Sequence, residues 1–375
     1  MFSDSRSFFL FERIFRFKRR NSVFNLSANL SVFVLNSIKY LQNQKIDLVF
    51  CLSTPHHLSW YFSYCAEFMG IKVAYTQATP IPYKKWIVQG IKEPETTFLN
   101  GEPSKEKLEN WISKLQSDYS EAIPEYERKR NVTYKYGDAS ILSNLKDIVF
   151  KSANNSIRYN KIKNLKDKFK CLKLYDKLAV SHLDSTKFIV LFLHYQPERT
   201  SLPEGRNFAQ QMNIILDIHL NLPEGYKLIV KEHPSMFRNI FNNRVRSPEF
   251  YKNISKLSNV MLASLSMESF DLIDKSKGVV TITGTVGVES LLRNKPVLVY
   301  GDAQFKNFKD VFRQGVLSEK KTFFKNLDLT DRDDKISLNA IKDLNEVDRH
   351  SFNTEERKIS KRAVYEFLYN SNKTN

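Results

Sequence analysis

Two apolar runs, each halted by a proline-bearing polar turn, constrain this chain more than any other feature. Phe188-Ile-Val-Leu-Phe-Leu-His-Tyr-Gln-Pro-Glu-Arg-Thr200 and Lys227-Leu-Ile-Val-Lys-Glu-His-Pro234 are continuous rather than alternating in hydrophobicity, which predicts buried parallel strands ending at the mouth of an α/β sheet. Between them, Phe208-Ala-Gln-Gln-Met-Asn-Ile-Ile-Leu-Asp-Ile-His-Leu220 spaces its apolar residues for one face of a helix, and Leu222-Pro-Glu-Gly225 stops it. In a strand-helix-strand unit both strand C-termini open on one crevice, so Glu198 and His233 can meet although they are far apart in sequence.

The alternation continues downstream. The short strand Val260-Met-Leu262 and an acidic helix from Met267 to Lys275 lead into the strand Gly278-Val-Val-Thr-Ile-Thr283, which runs straight into a helix over Gly284 to Arg293. Asn294-Lys-Pro-Val-Leu-Val-Tyr-Gly301 returns as the next strand. At Thr283-Gly-Thr-Val-Gly287 the glycines allow close backbone approach, the threonines supply hydroxyls, and freed amides at a helix start favour an anion. Phosphate is the natural guest for Thr283, Gly284 and Thr285; tight helix packing is the ordinary alternative for glycine at such a turn. Neither G-x-x-x-x-G-K-[ST] nor G-x-G-x-x-G is present. Glu289, one turn into the helix, can accept from ribose hydroxyls or stand as a surface carboxylate.

Toward the N-terminus, Asn29 to Leu41 has a helix pattern and Ile46-Asp-Leu-Val-Phe-Cys-Leu52 reads as a buried strand. Ser53-Thr-Pro-His-His57 is a polar turn that caps a helix from Leu58 to Met69; Gly70 ends it, and Ile71-Lys-Val-Ala-Tyr-Thr76 is the next strand. From Gly101 to Asp184 the character changes. Glu102 to Gln116 and Glu121 to Arg130 are charged and helix-prone, and Lys151 to Lys173 carries eight basic residues against the single acid Asp167. This predicts a basic helical insertion, either a solvated face or a surface for lipid phosphates or an anionic glycan. Asp302 to Asn375 reads as mainly helical and charged. The expected division is an N-terminal Rossmann-like domain over 1–100, the insertion over 101–185, a C-terminal Rossmann-like domain over 186–320, and a helical tail over 321–375 that can pack back on the N-terminal domain.

Charge narrows the partners. Across 375 residues Lys+Arg outnumber Asp+Glu by 58 to 41, a net +17, which predicts attraction to nucleic acid, an acidic membrane surface, or phosphorylated and carboxylated substrates. Cys51, Cys65 and Cys171 lie in or beside apolar segments without C-x-x-C spacing, which argues against a disulfide framework or zinc site and fits a reducing cytoplasm. No apolar run reaches the roughly 18 residues of a membrane span. Phe8-Phe-Leu-Phe-Glu-Arg-Ile-Phe-Arg-Phe-Lys-Arg-Arg20 mixes aromatics with basics and lacks the apolar core and cleavage site of a signal peptide. It suits an interfacial helix on an anionic membrane, or a first helix packed on its own domain.

His233 follows an apolar strand and precedes a proline. An imidazole there can donate to a phosphate, offset charge on a departing nucleotide when protonated, or serve only the fold. Glu198 can be a general base or nucleophile for a sugar centre, or the ion-pair partner of Arg199, whose guanidinium can equally bind a donor carboxylate. At these residues the chain resembles a known family. Leu193-His-Tyr-Gln-Pro-Glu-Arg-Thr200, Val230-Lys-Glu-His-Pro234 and Thr281-Ile-Thr-Gly-Thr-Val-Gly-Val-Glu289 with Lys295-Pro-Val-Leu298 are similar, in order, to motifs of bacterial capsule polysaccharide biosynthesis proteins related to the β-Kdo transferases. The likeness is dense from Phe188 to Gly301 and looser over Asp47 to Pro82.

The resemblance implies a GT-B glycosyltransferase, an α/β protein with two Rossmann-like domains facing a cleft, here with a helical insertion, and with the nucleotide held mainly by the C-terminal domain. It places the Q-x-E motif on Gln196 and Glu198 and the His-Pro motif on His233 and Pro234. Gln196 and Arg199 then lie toward the donor sugar, and His233, Pro234, Thr283, Gly284, Thr285 and Glu289 toward the nucleotide. His56, in the turn after the strand Ile46 to Leu52, is by position a candidate for an acceptor-side role. The implied reaction moves Kdo or a related nonulosonic acid from its CMP form to a surface glycan or lipid-linked glycan. Glu198 and His233 are the implied catalytic pair and no metal or other cofactor is expected; the basic surface, rather than the likeness, predicts a cytoplasmic protein held peripherally at the cytoplasmic face of the inner membrane. The basic aromatic opening departs from the family, whose domain usually begins with a strand.

Two other functions fit parts of the sequence. A CDP-polyol transferase for glycerol or ribitol phosphate shares the two-domain layout and a His-Pro turn. A non-enzymatic membrane- or nucleic-acid-binding protein would explain the charge, although no zinc-finger, RRM or helix-turn-helix signature is present and no nucleic-acid partner is expected. Asp331-Arg-Asp333 has the D-x-D form of metal-dependent transferases but follows no apolar strand.

Overall fold

The computed structural model describes residues 23–51, 57–78, 85–90, 95–99, 105–117, 155–183, 186–196, 201, 204–233, 235–238, 246–303 and 305–328. The segment Phe8 to Arg20, His56, the expected helix Glu121 to Arg130, Glu198 and Arg199, Pro234, Asp331 and Asp333 lie outside the described residues. The described chain forms two compact units that divide between Ile112 and Ser113.

The smaller unit runs α1 (Val23–Asn43), β1 (Leu48–Cys51), α2 (His57–Phe68), β2 (Lys72–Ala78), β3 (Lys85–Gln89) and β4 (Glu95–Leu99). β1 and β2 pair in parallel, Leu48 opposite Lys72, with α2 between them in sequence, which is the expected βαβ unit. Trp60, Tyr61, Tyr64 and Cys65 of α2 are buried, as are Val49, Val73 and Tyr75 of the strands. Gly70, at φ +78, takes the left-handed turn that lets the chain leave α2 for β2. Beyond the sequence reading, β3 and β4 extend this sheet antiparallel. Each is five residues long, too short to give a clear alternation.

The division falls within α3 (Lys105–Gln116). The larger unit continues with α4 (Asn155–Leu178), β5 (Ala179–Val180), β6 (Lys187–Phe192), a 3-10 turn (Arg206–Ala209), α5 (Gln211–Asn221), β7 (Tyr226–Lys231), α6 (Ser235–Arg238), α7 (Pro248–Ser255) and β8 (Val260–Ala263). It ends with α8 (Ser269–Lys275), β9 (Val279–Thr281), α9 (Val286–Leu292), β10 (Val297–Val299), β11 (Val311–Arg313) and α10 (Leu317–Lys325). Its seven strands lie in the order β11-β10-β9-β6-β7-β8-β5, and every pair is parallel. β5 and β11 are additions to the sequence reading, two and three residues set in stretches that read as helical. The basic helix α4 is part of this unit, because Cys171 and Tyr175 bury their side chains in its core.

The sheet is parallel because its strands are apolar on both faces. Phe188, Ile189, Val190 and Leu191 of β6 and Leu228, Ile229 and Val230 of β7 are all buried, so helices must cover both sides. α5 does so with Ile214, Ile215 and Ile218, all at 0% exposure. Each such side chain contributes about 1.5–3 kcal/mol by leaving water. α5 stops where Leu222 N donates to the Ile218 carbonyl just before Pro223, and Gly225, at φ +79, turns the chain into β7. α7 starts as sharply. The Ser247 hydroxyl accepts from Phe250 N, Pro248 occupies the first turn, and Glu249 meets the positive end of the helix. Among the described residues no helix is long and apolar enough to cross a membrane.

Candidate active site

Strand order sets where a ligand can sit. From β6 the chain steps outward to β7 and β8, then returns to place β9 on the opposite flank of β6. Reversal of this kind leaves a crevice at the C-terminal ends of the two strands it separates, here β6 and β9. Residues 193–196 follow β6 and residues 282–285 follow β9, so both segments lie at that point.

His194 closes the floor of the crevice. Its main chain is held twice by the first residue of α5: His194 N donates to Gln211 Oε1 at 2.9 Å, and Gln211 Nε2 donates to the His194 carbonyl at 3.0 Å. The imidazole Nε2 lies 3.0 Å from Thr281 Oγ1 and accepts from the amides of Ile282 and Thr283 at 3.3 and 3.4 Å. Two amides aimed at Nε2 require it to be the unprotonated nitrogen, so the Thr281 hydroxyl donates to it as well. Gly284 N in turn donates to Thr281 Oγ1 at 3.1 Å. Burial pushes the imidazole down to about 3, and the nearby His233 and Arg246 push the same way, so the ring is neutral at any physiological pH.

The end of β7 is built around a buried carboxylate. Glu232, fully buried, accepts from Arg246 Nε and Tyr251 Oη at 2.8 Å and from His233 N at 2.9 Å. His233 itself is half-buried, its ring 5.9 Å from that of Tyr195 at the neighbouring end of β6. Lys231 donates from Nζ to the Ser264 carbonyl at 2.6 Å, and burial lowers its ammonium to about 8.

Of the residues expected from sequence, the structure brings His233, Gln196 and the Thr283 turn to adjacent strand ends. Glu198, Arg199, Pro234 and His56 lie outside the described residues. Gln196 is 5% exposed; its Nε2 donates to the Ala209 carbonyl at 2.7 Å, while its Oε1 is buried without a partner among the described residues. Thr283 is half-buried and Thr285 exposed. The Thr285 hydroxyl donates to Glu289 Oε1 at 3.2 Å, so these two occupy each other across one turn of α9. The amides of Ile282, Thr283 and Gly284 point inward to His194 and Thr281 rather than outward as the glycine-rich turn suggests.

The two glycines divide by role. At Gly287 a Cβ would overlap the Phe305 ring, which is the packing alternative, whereas at Gly284 it would come 2.9 Å from Thr281 Oγ1 and 3.3 Å from His194 Nε2. His194, Gln211, Glu232 and Arg246 were not singled out as site residues from sequence. His194 and Glu232 lie inside the motifs quoted above, but no local pattern points to Arg246, which reaches Glu232 across 14 residues.

The family model described as capsule polysaccharide biosynthesis protein matches residues 104–332, well over half of the 375-residue chain. The chain belongs to the capsule polysaccharide biosynthesis protein family. The matched region contains β5 to β11, so the crevice between β6 and β9 of this capsule biosynthesis protein lies within it. The curated Protein FixF of Sinorhizobium fredii (strain NBRC 101917 / NGR234) is 33% identical over 87 residues, which is 23% of this chain and 19% of that protein. The chain therefore spans about a fifth of the length of the curated relative it matches. Solved structures that resemble it include Thermosulfurimonas dismutans KpsC, beta Kdo 2,7 transferase, at 12% identity and TM-score 0.35 over 74% of this chain and 72% of that one. The UDP-GlcNAc 2-epimerase of Methanocaldococcus jannaschii, in complex with UDP-GlcNAc and UDP, gives 12% identity and TM-score 0.27 over 84% and 80%. At such scores the architecture rests on the strand order above and not on these likenesses.

Proposed function

We propose that this capsule biosynthesis protein is a GT-B glycosyltransferase that moves Kdo or a related nonulosonic acid from a CMP-sugar to a glycan or lipid-linked glycan, without a metal. The reading rests chiefly on one observation: a half-buried imidazole, His233, stands beside the crevice where the strand order reverses, and the motif carrying Gln196 and Glu198 emerges from the adjacent strand. In the reaction the bond between the anomeric carbon and the CMP phosphate oxygen breaks, with its electron pair leaving on CMP. A new bond forms from that carbon to an acceptor oxygen, whose proton passes to a base. His233 would donate to the departing phosphate and Glu198 would act at the anomeric carbon. Thr283 follows β9 on the other side of the crevice, and its hydroxyl would suit the same phosphate.

Net charge +17 supports a site of work at an anionic membrane surface, where lipid-linked glycan is met. Flotation with lipid vesicles that is indifferent to anionic lipid content would remove that part of the reading. The donor class is tested by a thermal-shift screen with CMP, CDP, UDP and GDP. A ligand held at about 100 times its Kd and bound only by the folded form adds about 2.7 kcal/mol to stability. CMP is expected to raise Tm most. A preference for CDP would move the assignment to a polyol-phosphate transferase, and no shift with any nucleotide would reject a nucleotide-sugar enzyme.

A further inference from the structure

The carboxylate in Lys231-Glu-His233 is not free to do acid-base work. Glu232 is wholly enclosed by the Arg246 guanidinium, the Tyr251 hydroxyl and the His233 amide, and the Arg246 side chain is 5% exposed. Arg246 does more than pair with it. Its Nη2 also donates to the His194 carbonyl at 3.3 Å, and its guanidinium lies 4.6 Å from the centre of the Phe250 ring. The network then crosses to the next strand: Glu232 N donates to Tyr175 Oη at 3.2 Å, and Tyr175 Oη donates to the Ala263 carbonyl at the end of β8. One planar cation thus ties the main chain at the end of β6 to the Glu232 side chain at the end of β7, and the Glu232 amide leads on through Tyr175 to β8.

A buried ion pair is a poor source of net stability, because desolvating two charges offsets most of their attraction, and an apolar pair of similar size often does as well. What a guanidinium supplies instead is fixed geometry. Its donors lie in a rigid plane, so one can hold Glu232 while another holds a carbonyl on a different strand, which a single ammonium point charge cannot reproduce. Both segments it holds lead directly into the site: His194 precedes Tyr195 and Gln196, and Glu232 precedes His233.

On the transferase reading proposed above, we infer that Arg246 is a positioning residue for the transfer: through Glu232 and the His194 carbonyl it sets the ends of β6 and β7, and with them the placement of His233, without itself touching the ligand. Misplacing a reacting group by about 1 Å costs on the order of 100-fold in rate, so kcat is where the effect belongs.

The test compares the full chain with Arg246→Met, Arg246→Lys and, as a control, Lys187→Met, which removes an exposed ion pair to Asp328 at the start of β6. CMP-sugar turnover is measured alongside the nitrogen-15 NMR signals of the histidine rings, with His233 assigned from the His233→Asn spectrum. Arg246→Met is expected to lower kcat about 100-fold while donor KM stays within about threefold. Arg246→Lys should recover part of the loss, the His233 signal should move in both Arg246 variants, and Lys187→Met should match the parent. A folded Arg246 variant with parental kcat and an unmoved His233 signal overturns the proposal. If only Arg246→Met fails to fold, Arg246→Lys carries the test on the same terms; failure of both assigns Arg246 to holding the fold and also overturns it. Absence of turnover by the parent protein with any CMP-sugar would sink the transferase reading instead, and the NMR signal, which needs no activity, would still decide whether Arg246 sets His233.

Discussion

The His194 ring and the Thr281 hydroxyl, 3.0 Å apart, join the two strands between which the chain reverses direction across the sheet. The imidazole fills its acceptor with protein donors and is buried, so it must be neutral in the folded state. Its pKa falls from the ordinary 6.5 to about 3, and between those values the unfolded chain binds the extra proton. Stability is therefore fully present above pH 6.5 and is lost as pH falls through that window, by at most about 1.4 kcal/mol per pH unit. Urea unfolding at pH 5 to 7 should show this slope in the parent and a flatter profile in His194→Gln. Equal slopes would mean that the ring is not held as described.

Glu198→Ala and His233→Ala should each lower CMP-sugar turnover by at least about 100-fold, as expected for the loss of an acid-base or charge-stabilising group. Both proteins should keep the parental far-ultraviolet circular dichroism and Tm within a few degrees. Turnover is expected to survive excess EDTA. Undiminished turnover by either variant would remove that residue from the mechanism.

Gly287→Ala drives a methyl into Phe305, which is 1% exposed and has nowhere to go. Overpacking of this kind costs about 1–3 kcal/mol. Adding Phe305→Leu should restore part of the lost Tm, and a pair of additive losses would show that the two side chains do not compete for one space.

Lys168 is 7% exposed, and its Nζ has no hydrogen-bond partner among the described residues. Burial lowers it from 10.5 to about 7, so the unfolded chain holds the extra proton between those values. Stability contributed at high pH is lost as pH falls toward 7. Lys168→Met should then raise stability at pH 7 by about 1–3 kcal/mol and flatten the rise toward pH 10, both read from Tm. A lower Tm at pH 7 would show that the ammonium has a partner.

The parallel strands were readable because their apolar runs carry the signal locally. Phe188 to Phe192, Leu228 to Val230 and Val279 to Thr281 announce buried strands by composition alone, and the turns after them announce a crevice. β5 and β11 were not, since two or three residues give no period to read. The same contrast holds at the site. His233 is marked by its strand and the following proline, while Arg246 matters only through contacts made after residues 232 and 246 are brought together, which sequence spacing does not encode. The inward turn of the Ile282, Thr283 and Gly284 amides is also tertiary: without the His194 ring below them, a glycine-rich helix start leaves those donors free.

The reversal of strand order has a consequence for how this protein comes into being. The Ile282 amide meets the His194 ring across 88 residues of chain, after β7 and β8 have been laid down on the other side. A nascent chain that has emerged only as far as β8 possesses one bank of the crevice and no opposite one. The crevice is thus completed only once β9 is available to pair with β6, and on the proposed reading no shorter translation product should bind a nucleotide.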